Sequence, residues 1–146
     1  MKYDKETFKE VLEPHHRTYW KIAYTKLQRK MQSLKSSLKK RSEDADVKFD
    51  ITMEDLREMF YVKYGKSCRY CRKKLTIRNM VCDHIIPLSK SGESVIGNLQ
   101  LICKSCNTRK GPLDEKDFEE LIFWVETLKD ETKEYVLRKL AKGGRY

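Results

Sequence analysis

The chain has 146 residues, of which 37% are charged and 39% hydrophobic, with a net charge of +10 and an isoelectric point near 9.4. That length suits one domain with an appendage, able to bury most of its unfolded surface without a staple merely for want of core. The basic balance favours a polyanionic partner, nucleic acid before an anionic membrane, and no apolar run approaches the roughly 20 residues that span a bilayer.

The opening MKYDKETFKEV carries acids and no apolar signal segment, so a reducing cytoplasm is expected, where disulfides are rare. Five cysteines in such a compartment point to metal rather than to bridges. Charge is uneven. Residues 17–41 hold nine Lys or Arg and no acid, and residues 63–110 hold eleven against two acids, Asp83 and Glu93. Three segments are expected: a basic helical arm over 1–50, a cysteine-bearing core over 51–112 and a helical region over 113–146.

In the arm, Trp20, Tyr24, Leu27, Met31, Leu34 and Leu38 recur at steps of four and three, the mark of one helical stripe. Pro14 kinks or precedes this helix. The stripe is too short to assert a coiled coil. It packs on its own domain, dimerises, or lies along DNA. A polar break, Ser42-Glu43-Asp44-Ala45-Asp46, follows. Thr52 then reads as an N-cap with Glu54 and Asp55 in the first turn. Leu56, Met59, Phe60 and Tyr64 line one face of that helix, and Gly65 stops it. Met80 to Pro87 reads as a short apolar strand ended by Pro87. A loop with turn points at Gly92 and Gly97 leads to a second strand over 98–103, and a helix begins at Lys104. Two more helices are expected, over 117–128 with Leu121, Trp124, Val125 and Leu128 at helical spacing, and over 134–140 before a Gly143-Gly144 tail.

Cys68-Arg69-Tyr70-Cys71 and Cys103-Lys104-Ser105-Cys106 are two C-x-x-C pairs with thirty-one residues between them. A two-residue gap lets both thiolates of a pair turn toward one ion, and two such knuckles complete a tetrahedral zinc site. A closed four-thiolate shell leaves no position for water, so this zinc is structural. Cys82 is left over and reads as a small buried hydrophobe.

Between the pairs stand Asp83, His84, Asn98 and Asn107. Singly, each has an ordinary explanation: a packed histidine, a turn former, a helix residue. Together, Asp83-His84-Ile85-Ile86-Pro87, Gly92, Asn98-Leu99, Cys103-x-x-Cys106-Asn107 and Lys110-Gly111 resemble the HNH endonuclease motif of phage and bacterial zinc-bearing nucleases. The resemblance covers about a third of the chain, over 68–111.

The resemblance implies an α+β fold with a ββα-metal core over 51–112, stapled by the four-Cys zinc and flanked by helices. It implies a metal-dependent DNA endonuclease in a bacterial or phage-infected cytoplasm, leaving 5′-phosphate and 3′-hydroxyl ends. His84 would be the general base, its unperturbed pKa of about 6.5 suiting the task. Asp83 and Asn107 would hold the catalytic ion, and Asn98 would brace the loop that orients His84. The third motif position is Asn107 where the family name expects His. Asp plus Asn offers oxygen only, which suits Mg²⁺ or Mn²⁺.

Arg109 and Lys110 either clamp the phosphate or form a solvated face. Asp83 and His84 should point to opposite faces of a regular strand, so a shared site needs a bulge, a twist or a position at the strand edge. The other classes are a non-catalytic zinc module that binds nucleic acid, and a nuclease for branched DNA or a nickase. A single site cuts one strand, so concerted double-strand cleavage needs a homodimer, for which the helix over 20–38 is the candidate, or two visits.

Overall fold

Asp4 opens the chain's first helix, its carboxylate accepting from the Thr7 amide at 2.9 Å as an N-cap. The computed structural model of the protein describes residues 2–142. Helix α1 (Lys5–His16) carries Pro14 in its last turn and buries Phe8 and Leu12. Sequence patterning had not suggested this helix. Pro14 precedes the long helix, as expected, with a short 3-10 turn over Arg17–Tyr19 between them.

Helix α2 (Trp20–Asp44) is longer than its apolar stripe. Trp20, Leu27, Met31 and Leu38 are buried, and Tyr24 and Leu34 pack on the same core. Phe8 meets Tyr24 and Tyr61 at ring distances of 5.7 and 5.8 Å. The stripe is therefore covered by its own chain, which removes the basis for a homodimer through this face. Around the rest of the helix, Lys21, Lys26, Arg29, Lys39, Lys40 and Arg41 are exposed to solvent. The expected polar break at 42–46 is mostly helix. The chain turns only at Ala45 and Asp46, and Ser42 is fully buried.

Strand β1 (Phe49–Asp50) leads into α3 (Met53–Lys63). Thr52 caps α3 in a reciprocal box with Asp55, both bonds 3.0 Å. Leu56, Phe60 and Tyr64 are buried as the face demands, with Met59 packed against them. Gly65 stops the helix at φ 77°, and its α-carbon abuts His15: a β-carbon there would stand 2.2 Å from the ring.

Strand β2 (Met80–His84) pairs antiparallel with β4 (Leu99–Cys103), Asp83 opposite Gln100 and His84 opposite Leu99. Pairing ends at His84, three residues before Pro87. Between them the loop forms β3 (Ser94–Val95), parallel to β1. Helix α4 (Lys104–Lys110) follows β4 without a break. The architecture is α+β: a ββα unit bearing the cysteines, flanked by helices on both sides.

Helices α5 (Glu115–Glu126) and α6 (Asp130–Leu140) complete the described chain. Phe118 and Val125, seven residues apart, are the inward positions of α5. Trp124 lies 100° round from Val125 and is exposed, against expectation. The Gly143-Gly144 tail lies outside the described residues. No helix is long and apolar enough to cross a membrane.

Leu27→Ala should lower unfolding free energy by about 2–5 kcal/mol with no change in sedimentation mass. Ile22→Ala, on the exposed face of the same helix, should cost under about 0.5 kcal/mol. Urea titrations read both.

Candidate active site

Four sulfurs gather at the base of the ββα unit. The Sγ atoms of Cys68, Cys71, Cys103 and Cys106 all lie within 4.8 Å of one another, a cluster that can hold a metal ion. Cys68 sits in a tight turn where its amide donates to the Lys73 carbonyl at 2.7 Å and its carbonyl accepts from the Arg72 amide at 2.9 Å. The Cys103 amide donates to Cys68 Sγ, and the Cys106 amide to Cys103 Sγ, both at 3.4 Å. Amide protons aimed at sulfur favour thiolate.

Without metal the thiols share protons. The Cys106 thiol hydrogen-bonds Cys68 and draws it down to about 4, while Cys106 is pushed up by the same bond. Burial raises Cys103. Metal binding must therefore release protons. Cys82 stands apart, its thiol pushed up to about 12 chiefly by burial, so it stays neutral and packs against both core clusters.

At the far end of the hairpin, Asn98 staples the loop. Its Nδ2 donates to the carbonyls of Ile86 (3.0 Å) and Glu93 (2.8 Å), and its Oδ1 accepts from the Ile86 amide (2.8 Å). Its own carbonyl accepts from the Ile85 amide at 2.9 Å. Gly92 lies so close to the turn that a β-carbon would stand 1.7 Å from the Ile86 carbonyl oxygen. Only glycine fits there.

Asp83 and His84 lie between these two staples, 7% and 8% exposed. The strand alternation expected between them is kept, and each takes different partners. Asp83 Oδ2 accepts from Gln100 Nε2 at 3.0 Å, and Gln100 also donates to the Tyr70 hydroxyl at 3.0 Å. His84 Nε2 meets Ser94 Oγ at 2.8 Å. Burial, then the charge of Arg41, hold His84 below its ordinary pKa, with Asp83 opposing and Lys110 adding to the fall. The ring is thus neutral near pH 7, the state a proton acceptor needs.

Residues 68–113 match the family model for HNH endonuclease. That segment is similar to the HNH endonuclease family. No curated protein matches the chain. The match covers 46 of 146 residues and leaves outside it the helices that pack against that segment from both sides.

Within the matched segment, Asn107 is half-buried on α4, three residues before Lys110 and so on the same side of the helix. Lys110 is not a phosphate clamp. It is fully buried, its ammonium 3.2 Å from Asp83 Oδ2, 3.4 Å from Oδ1 and 3.0 Å from the His84 carbonyl. A lysine this deep must be paired, and Asp83 is its partner. Arg109 is half-buried, its Nε shielded and without a hydrogen-bond partner among the described residues.

The donor set at Asp83 suits a hard cation. Carboxylate and carboxamide oxygens are the ligands such ions take, and an ammonium already lies against both carboxylate oxygens. A carboxylate offers about four lone-pair directions, so Gln100 and Lys110 leave room for one further contact.

Four contributors escaped sequence reasoning: Lys110 as partner of Asp83, Gln100, Ser94 and Arg41. Gln100 alone had a local signal, standing opposite Asp83 in the hairpin register. Lys110→Met should cost about 3–5 kcal/mol, since it leaves Asp83 buried and unpaired. Adding Asp83→Asn should recover part of that loss. A double-mutant cycle in urea reads the coupling.

Proposed function

We propose that the protein is a metal-dependent DNA endonuclease of the HNH type. One observation carries this: in the segment that matches the HNH model, a ring-anchored His84 stands beside a buried Asp83 carboxylate facing the helix that bears Asn107. The exposed basic face of α2 supports a polyanionic substrate.

His84 takes the proton from water that attacks the backbone phosphorus in line. Asp83 and Asn107 would hold Mg²⁺ or Mn²⁺, which when bound supplies charge stabilisation at the phosphate and the departing 3′ oxygen. Gln100 and Lys110 fix the direction of the Asp83 carboxylate. Asn98 holds the loop on which the site rests. The products are 5′-phosphate and 3′-hydroxyl ends. With one site per chain and the α2 stripe buried internally, each visit cuts one strand.

Incubation with supercoiled plasmid, with EDTA, Mg²⁺ or Mn²⁺, tests the proposal. Wild type should give open circles before linears, only with metal. His84→Ala should lose on the order of 10²–10⁴-fold in rate, and Asn107→Ala should raise the metal concentration required. Metal-independent DNA binding with no cleavage under any condition would instead support a non-catalytic zinc module.

Zinc is the metal proposed for the four cysteines, because four soft thiolates gathered within reach of one ion select it. Purified protein should hold one zinc per chain, and a strong chelator should unfold it, read by circular dichroism. Cys103→Ser should lose the metal, whereas Cys82→Ser should keep it.

A further inference from the structure

Three contacts run from the ring of His84 into the long N-terminal helix. His84 Nε2 lies 2.8 Å from Ser94 Oγ, Ser94 Oγ lies 2.6 Å from Ser42 Oγ, and Ser42 Oγ lies 2.6 Å from the Leu38 carbonyl oxygen. Both serines are completely buried. Ser42 lies one helical turn beyond Leu38 in α2, and Ser94 is pinned by β3, where its amide donates to the Lys48 carbonyl at 2.9 Å.

Proton counting orients this chain. The three contacts need three protons. Each hydroxyl has one, and the terminal carbonyl has none. The Leu38 oxygen can only accept, so the Ser42 proton goes to it. The Ser42–Ser94 contact must then use the Ser94 proton. That leaves Ser94 Oγ as an acceptor toward His84, so the proton between them belongs to Nε2. With the opposite polarity, the 2.6 Å contact between Ser42 and a carbonyl would hold no proton at all.

We infer that Ser94 and Ser42 are positioning residues which, through the Leu38 carbonyl of α2, fix neutral His84 as the Nε2–H tautomer and leave Nδ1 as the proton-accepting nitrogen. Ser42 and the carbonyl belong to α2, outside the matched domain, so the arm supplies part of the orientation of the site. Removing Ser42 oxygen should reverse the polarity. The Ser94 proton loses its acceptor and turns to His84 Nε2, which then carries the lone pair, and the proton moves to Nδ1. Only the consequence for rate rests on the nuclease proposal; the tautomer itself does not.

The test is long-range ¹H–¹⁵N correlation on ¹⁵N-labelled, zinc-loaded protein, with His84 assigned by comparison with His84→Gln. In wild type, Nε2 should resonate as the pyrrole-type nitrogen and Nδ1 as the pyridine-type. Ser42→Ala should shift the pattern toward the opposite tautomer. In the plasmid assay its kcat should fall on the order of 10–100-fold with KM little changed, and Ser42→Thr, which restores a hydroxyl, should recover it. An Nδ1–H tautomer in wild type would overturn the inference without any variant having to fold. So would Ser42→Ala with an unchanged spectrum. A wild-type protein with the predicted tautomer and no cleavage would count against the nuclease proposal and leave the relay standing.

Discussion

A hairpin of two five-residue strands is marginal in water on its own, and β2 paired with β4 is such a hairpin. What surrounds it makes up that deficit. Four sulfurs gather at the base, where β4 enters α4. Asn98 closes the tip with three side-chain hydrogen bonds. The flanks are covered by α2 and α3, whose Leu38 and Leu56 pack with Leu99 of β4. Asp83 and His84 sit in the interval between these supports. Buried polar groups in that position are held because every side of the hairpin is pinned.

The cysteine end of the hairpin and the α2 flank are wired separately to the two candidate catalytic residues. Tyr70, inside the first cysteine pair, reaches Asp83 through Gln100, and its ring packs on Phe118 of α5 at 4.7 Å. Burial lifts the Tyr70 hydroxyl to about 12, so it remains a neutral partner. His84 is instead tied through Ser94 and Ser42 to α2. Disturbing the cysteine cluster therefore acts on the carboxylate side first, and disturbing the arm acts on the imidazole side.

The difference between what was legible in the sequence and what was not follows sequence separation. The cysteine pairs announce themselves through their two-residue gaps, Asp83-His84 and Asn98 through the resemblance to the HNH motif, and the structure puts the expected strands and helix there. Ser42 and Ser94 are 52 residues apart and Lys110 and Asp83 27 apart. No local period links such pairs, so Ser42 read as part of a polar break and Lys110 as a surface cation. Helix α1 was missed for a different reason. Phe8 and Leu12 give only one helical repeat before Pro14, and its stability comes from the packing of those two residues on α2 and α3. Trp124 erred the other way: helical spacing placed it inward, but α5 meets the core through Phe118, Leu121 and Ile122.

Strand alternation, which sets Asp83 and His84 on different partners, is compatible with a shared role in one reaction. In-line displacement at phosphorus places the attacking water and the departing oxygen on opposite sides of the reacting centre. A base and an ion-holding carboxylate that converged on one point would serve that geometry poorly. Here the imidazole is anchored from the α2 side and the carboxylate from the α4 side, one residue apart on a rigid strand end. Lys110 touches both residues, the carboxylate of Asp83 and the backbone carbonyl of His84, and so fixes their separation. On the proposed mechanism a phosphodiester spans that short interval, with proton acceptance at one end and charge stabilisation at the other. On that mechanism, the regular register of β2 with β4 supplies the divergence without a bulge.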